Sequence, residues 1–222
     1  MNLTLFDLDG TLLPKDSDHA FGEFVVQLDW ADAQAFKQRN DAFYADYLAG
    51  CLDIHAYVDF ATSPWRDRSA KDLDRATALF LHEVVQPMLM PSALALVARH
   101  REQGDLMAVV TATNDFVTRP IATLLGIDTL IATNLARDAS GRVTGAIAGV
   151  PCFREGKIDR VHTWLAATGR AMGDFGRCTF YSDSTNDLPL LEHVSHPVAT
   201  NPGPALERIA QERAWPILKL FS

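Results

Sequence analysis

The sequence predicts an α/β fold, a doubly wound and mainly parallel sheet carrying a small all-helical cap. Three observations point to it. Short apolar runs alternate with helical patterns over the second half of the chain. A long block nearer the start carries helical periodicity only. Polar clusters fall where apolar runs stop, at Asp7/Asp9, Thr111/Thr113 and Asp183/Asp187. In open sheets of this class, ligands bind beyond the carboxyl ends of the strands.

Taken in order, residues 2–8 read as a short buried strand ending in "DLDG". From Asp16 to about Gln86 apolar residues recur at helical spacing: Phe21, Phe24, Val25 and Leu28; Phe36, Phe43, Tyr47 and Leu48; Ile54, Tyr57, Val58 and Ala61; Leu73, Phe80, Leu81 and Val84. Ser63-Pro64 breaks this block. Four amphipathic helices with no strand between them suggest an insert. The division is therefore a core of residues 1–15 and 88–222 and a cap of residues 16–87. Pro91-Ser92 opens a helix that stops at Gly104. "DLMAVVTATN" is a buried strand, and a helix through Val117, Ile121 and Leu124 stops at Gly126. "IDTLIAT" is a strand and "RDASGRVTG" a hairpin around Ser140-Gly141. "GKIDRVHTWLAATG" is a helix, and "CTFYSDSTNDLPLL" is strand, polar loop and helix start. "HPVAT" and "WPIL" read as last strands, separated by a turn and a helix.

Composition narrows the partners. The chain has 222 residues, 48% hydrophobic and 22% charged, enough apolar material for a sizeable core. Its formal charge is −8, without a Lys/Arg run, so a nucleic-acid partner is not expected. Cys51, Cys152 and Cys178 are isolated, which implies neither a disulfide frame nor a thiolate zinc site and fits a reducing cytoplasm. No signal peptide is visible, and no apolar stretch approaches the roughly 20 residues of a membrane span. The expected assembly is a monomer or homodimer.

Each polar cluster alone has an ordinary structural explanation. Asp-x-Asp-Gly forms turns. Asn114 or Asp115 can cap the following helix. A single lysine such as Lys157 is usually solvated, and "SDSTND" could be a capped helix start. Two carboxylates side by side at a strand end repel one another unless something positive lies between them.

Together, in this order and at strand ends, the clusters resemble the haloacid dehalogenase superfamily of phosphohydrolases. "FDLDGTL" matches its first motif, Thr111 of "VVTAT" its second, Lys157 of "GKIDR" its third and "YSDSTND" its fourth. The resemblance covers nearly the whole chain, including the helical insert. It is nearest to the branch containing phosphoserine phosphatases, and the chain's ending is similar to small bacterial hydrolases of that branch, some assigned to histidinol phosphate. It implies a Rossmann-like core and a Mg²⁺ ion held by Asp7, the Asp9 carbonyl and Asp183. It further implies that Asp7 attacks phosphorus to give an aspartyl phosphate, while Asp9 protonates the leaving alkoxide and later activates water. Thr111 and the Ala112 N–H would hold phosphoryl oxygens, and Lys157 would offset negative charge. Asn186 would help bind phosphate, Asp187 would orient Lys157 or water, and Thr11 would brace the first loop.

Substrate choice must then come from the cap. Asp16 falls where phosphoserine phosphatases carry an acidic residue facing the substrate amine, although theirs is usually the longer Glu. "TAT" replaces their usual Ser-Gly-Gly. Asp18, His19, Trp65, Arg66 and Arg68 are further candidates, each with packing or surface exposure as the commoner role. His162, His193 and His196 lack metal-ligand spacing and read as structural. The expected substrate is a small amine-bearing phosphorylated metabolite, such as phosphoserine or histidinol phosphate. Two other functions are compatible with parts of the pattern. A phosphomutase would pass the aspartyl phosphate to a sugar. A non-catalytic phospho-acceptor module would have no use for Asp9.

Overall fold

The computed structural model describes residues 1–221. Strand β1 (Leu3–Phe6) has all four side chains buried and lies at the centre of a six-stranded sheet. The strand order is β3 (Thr129–Thr133), β2 (Leu106–Asn114), β1, β6 (Cys178–Ser182), β7 (His196–Thr200) and β8 (Ile217–Leu218), and every pairing is parallel. Leu3 lies opposite Leu106 on one side and Cys178 on the other. The chain leaves β1 in one direction across the sheet and returns in the other. The crevice above β1, β2 and β6 is therefore the topological switch point of the fold.

Between β1 and β2 the chain is entirely helical: α1 (Ser17–Gln27), α2 (Ala33–Leu48), α3 (Ile54–Thr62) and α4 (Ala70–Phe80). Each begins on a side chain that accepts a first-turn N–H, from Asp16, Asp32, Asp53 and Ser69 respectively. Helix α4 runs through one wide turn, Leu81–Val85, into α5 (Gln86–Met88). Pro87 lacks the N–H that an unbroken α-helical ladder needs. Helix α6 (Pro91–Glu102) then leads to β2 (Leu106–Asn114), α7 (Asp115–Leu124) and β3 (Thr129–Thr133). The predicted hairpin is β4 (Leu135–Arg137) with β5 (Val143–Ile147), an antiparallel ribbon outside the main sheet. It packs on α3, and Gly145 has φ 90°, a conformation that favours glycine. Helix α8 (Glu155–Ala167), β6 (Cys178–Ser182), α9 (Leu188–His193), β7 (His196–Thr200), α10 (Pro204–Glu212) and β8 (Ile217–Leu218) complete the chain.

The sheet separates two apolar layers. On one face Phe6, Val109 and Tyr181 pack with Leu96, Val97, Val117 and Ile121, and this layer continues into the insert through Phe21, Phe24, Trp65 and Phe80. On the other, Leu3, Leu5, Val110 and Phe180 meet Val161, Leu165, Leu190 and Leu206. Alternate residues of β1 face opposite layers, as the two-residue period of a strand requires. Among the described residues no single helix is long and apolar enough to cross a membrane, and the three thiols are all free.

Candidate active site

Asp7 follows β1 directly, and its N–H donates to the Tyr181 carbonyl on β6 at 2.9 Å. Two adjacent strands thus fix its backbone. Lys157 comes from the first turn of α8 and is 1% exposed, a burial that a lysine tolerates only when paired. Its Nζ lies 2.8 Å from Asp7 Oδ1 and 2.7 Å from Asp187 Oδ2. The Ser182 hydroxyl donates to Asp187 Oδ2 at 2.7 Å. Burial opposes the Lys157 charge, but Asp187 and Asp7 more than offset it, and the ammonium is held protonated.

The first and fourth motifs interlock. Thr11 donates its hydroxyl to Asp183 Oδ1 at 3.2 Å. Gly10 has φ 75°, and a Cβ on it would overlap Asp183 Oδ2, so both the turn and the close approach demand glycine. Burial, then the charges of Asp7 and Asp187, drive the Asp183 carboxyl well above its usual range. Burial likewise pushes Asp7 up to about 7, against the pull of Lys157. Asp9 faces the same crevice, accepting from the Ser17 N–H at 2.7 Å and the Thr113 hydroxyl at 2.9 Å. Its carboxyl is also raised to about 7, first by burial and then by the Asp16 charge.

Above these groups lies a cavity walled by the core and by α1–α3. Asp7, Asp9, Thr111, Ala112 and Thr113 form its floor, and Asp16, Asp18, His19, Tyr44, Tyr47 and Tyr57 belong to its walls. The Thr111 oxygen accepts from Thr113 N–H at 3.2 Å, leaving the hydroxyl proton to donate. Asp16 both caps α1, through His19 N–H at 2.7 Å, and lines the cavity. Burial raises it to about 6. Asp18 accepts from Asn114 Nδ2 at 3.0 Å and is raised to about 7, again chiefly by burial.

Over residues 4–192 the chain matches the haloacid dehalogenase-like hydrolases. The chain belongs to that family. Within it the chain is a phosphatase. Histidinol-phosphatase of Neisseria meningitidis serogroup C (strain 8013) is 42% identical to it over 217 residues, 98% of each chain. A crystal structure of a protein of unknown function from Bordetella pertussis Tohama I is 45% identical and superimposes with a TM-score of 0.94 over 99% of both chains. A substrate-bound phosphoserine phosphatase covers 98% of this chain and 92% of its own, with a TM-score of 0.68 and 17% identity. At that identity the likeness is one of fold.

The donor set of this hydrolase fits a small divalent cation. Asp7 and Asp187, both buried, and the half-buried Asp183 bring three carboxylates together against the single ammonium of Lys157. A compact cation beside Asp7 and Asp183 would relieve that excess. Among the described residues no three His, Cys, Asp or Glu side chains converge into an all-protein cage. Two carboxylates and a carbonyl leave coordination positions for water and phosphate, which is how Mg²⁺ is usually bound.

The remaining candidates sit elsewhere. Asn186 turns its amide to the Tyr47 carbonyl at 3.0 Å, toward the cap helices instead of the cavity floor. Arg154, which enters α8 with φ 53°, also donates to the insert, at the Gly50 carbonyl. Trp65 is buried and stacks on Phe116 at 4.3 Å, Arg66 pairs with Asp59 at 2.5 Å, and Arg68 lies over the Trp30 ring. His162 and His193 approach to 3.0 Å between their Nε2 atoms, and His196 contacts Ser195, all away from the cavity. Tyr44 was given no role by the sequence, and Thr113 was named only as a strand-end residue. Their one signal is a hydroxyl on an otherwise apolar helix face or strand end.

Proposed function

We propose that the chain hydrolyses the phosphate monoester of a small, amine-bearing alcohol, with Asp7 as nucleophile and Asp9 as acid and then base. The observation that carries this reading is the placement of Asp7 and Asp9 on one cavity floor, with Lys157 bound to the Asp7 carboxylate from behind. Asp7, the Asp9 carbonyl and Asp183 would hold Mg²⁺. When bound, that ion supplies positive charge where the nucleophile and the phosphoryl oxygens would otherwise repel.

The chain's own groups cover the rest of the chemistry. Lys157 holds Asp7 in one rotamer with one oxygen engaged. Attack by the Asp7 carboxylate on phosphorus forms the aspartyl phosphate as the ester P–O bond breaks. Asp9 gives its proton to the departing alkoxide. It then takes one from the water that cleaves the aspartyl phosphate, returning Asp7 and releasing phosphate. The Thr111 hydroxyl is free to donate to a phosphoryl oxygen. The helices of residues 16–87 act as a cap that shields these steps from bulk water.

The cavity also ranks the substrates. Among the described residues no Lys or Arg lines it, and His19 is tied to Asp41 at 2.9 Å. Asp16 and Asp18 favour a cationic nitrogen, and Phe43, Tyr44, Tyr47 and Tyr57 suit a flat ring. Phosphoserine carries a carboxylate that would find no cationic partner here. Histidinol phosphate carries an amine and an imidazole and no carboxylate, and we place it first. Phosphate release from histidinol phosphate, phosphoserine, sugar phosphates and nucleotides, with Mg²⁺ and with chelator, tests the reading. The expected result is Mg²⁺-dependent release with histidinol phosphate preferred. Asp7→Asn should remove roughly three or more decades of rate, on the order of 4 kcal/mol of barrier. Near-normal turnover by that variant, or full activity in chelator, would overturn it.

A further inference from the structure

A second concave site lies on the sheet face that carries Tyr181, remote from the catalytic floor. Helix α6 lies along one side of this groove, and Trp215 and Pro216, just before β8, form the other. Its floor includes Tyr181, Thr179 and Val198, and its rim includes Arg99, Arg177 and His196. Among the described residues no Asp or Glu lines it.

Neither arginine of this groove is tied to a carboxylate or a backbone carbonyl among the described residues. Arg66, Arg142, Arg208 and Arg213 each have a carboxylate partner. Arg101, Arg119, Arg137, Arg154 and Arg160 donate to backbone carbonyls. Among the described residues Arg99 and Arg177 do neither, although the protein carries a formal charge of −8. Both act on one atom. Burial raises the Tyr181 phenol, and the Arg99 and Arg177 guanidinium groups both pull it back. Like charges gathered around one hydroxyl, without a protein anion between them, favour an external anion.

The floor is built as well as charged. The Tyr181 oxygen is 2.8 Å from His100 Nε2, and His100 Nδ1 is 2.7 Å from Asp105 Oδ2. Thr4 donates to the same Asp105 oxygen at 3.1 Å, and Asn2 to its other oxygen at 3.0 Å. This buried chain fixes the hydroxyl in place at the base of the groove. It is also continuous with the catalytic strands. Tyr181 stacks on Phe6 at 5.2 Å, and its carbonyl accepts the Asp7 N–H.

We infer that the groove between α6 and β7–β8 is a second binding site, for a small dianion bearing phosphate or carboxylate groups, held by Arg99 and Arg177. Binding there bears on the strand pair that positions Asp7, which makes the site suited to an effector.

The test uses the full chain carrying Asp7→Asn, so that turnover does not interfere, titrated separately with inorganic phosphate and with malonate. The readout is the NMR shift of the Arg99 and Arg177 Nε–H resonances, assigned with Arg99→Gln and Arg177→Gln. Saturable shifts of both arginines are expected. Each substitution should weaken binding by about tenfold or more, the loss of one charged hydrogen-bonding group. A response to phosphate alone, to malonate alone or to both supports the site and identifies its anion. Shifts that never saturate, or affinities unchanged by both substitutions, overturn it. The arginines are exposed, so the variants should fold, which an unchanged melting temperature verifies. In the otherwise native enzyme the same two substitutions should leave hydrolysis without added anion intact. That outcome separates failure of this groove from failure of the catalytic reading.

Discussion

The backbone N–H of Ser17 donates to Asp9 Oδ1 at 2.7 Å, which joins the first residue of α1 to the proposed acid–base group. Together with Thr113 on the other oxygen, it holds Asp9 in one orientation above the floor. A group so placed serves the leaving oxygen in the first step and water in the second. Asp9→Asn should therefore abolish turnover of an alkyl phosphate. With p-nitrophenyl phosphate, whose leaving group needs no proton, the first step should survive and the second should stall. Rapid-quench measurement should show a burst of about one nitrophenolate per site followed by a slow phase. Equal loss of burst and steady state would remove Asp9 from the acid–base role.

The serine in that contact offers a separate test. Ser17 is wholly buried, and its hydroxyl has no hydrogen-bond partner among the described residues. An unpaired buried hydroxyl costs about 1–3 kcal/mol, and replacing it by a methyl recovers part of that. Ser17→Ala keeps the N–H that Asp9 uses. It should raise stability by about 1 kcal/mol, or roughly 2–4 °C in Tm for a chain of this size. A lower Tm would show that the hydroxyl is satisfied in solution.

Asn186 and Arg154 reach from the core to consecutive turns at the end of α2, one to the Tyr47 carbonyl and the other to that of Gly50. They act as clasps for the insert. Truncating either to Ala removes about 0.5–1.5 kcal/mol of closure. KM should rise several-fold, and amide exchange at residues 47–53 should accelerate. If Asn186→Ala instead lowers kcat alone with exchange unchanged, the side chain serves phosphate and not the clasp.

The contrast between Asn186 and Lys157 shows how far the sequence reaches. Lys157 occupies the first turn of a helix whose periodicity is plain, Asp7 and Asp183 directly follow strands of the central sheet, and Thr111 lies in the second half of another. Their positions come from local rules, and parallel strands with short connections bring them to one edge. Asn186 lies in the same motif, but its direction depends on where α2 docks, which no local pattern encodes. Tyr47 and Tyr57 were legible as helix-face residues. Periodicity marks a face as apolar without saying whether it meets a core or a cavity. The approach of His162 to His193 depends in the same way on the packing of α8 against α9.

Asp16 carries the sharpest prediction, because the structure gives it two tasks at once. One oxygen accepts the His19 N–H and caps α1, and the same residue lines the substrate cavity. Asp16→Asn retains a good capping group, so Tm should stay within a degree or two. It removes the negative charge. If that charge faces a substrate ammonium in a closed cavity, its loss should cost about 2–5 kcal/mol, as for one partner of a desolvated pair. kcat/KM for histidinol phosphate should then fall by one to a few decades, at about 1.4 kcal/mol per decade. p-Nitrophenyl phosphate has no amine and should be hydrolysed almost as before. Asp16→Ala removes cap and charge together, and should add a stability loss of about 1 kcal/mol to the same change in specificity. Equal losses on the two esters in Asp16→Asn would leave Asp16 a capping residue only, and would shift the search for the amine partner to Asp18.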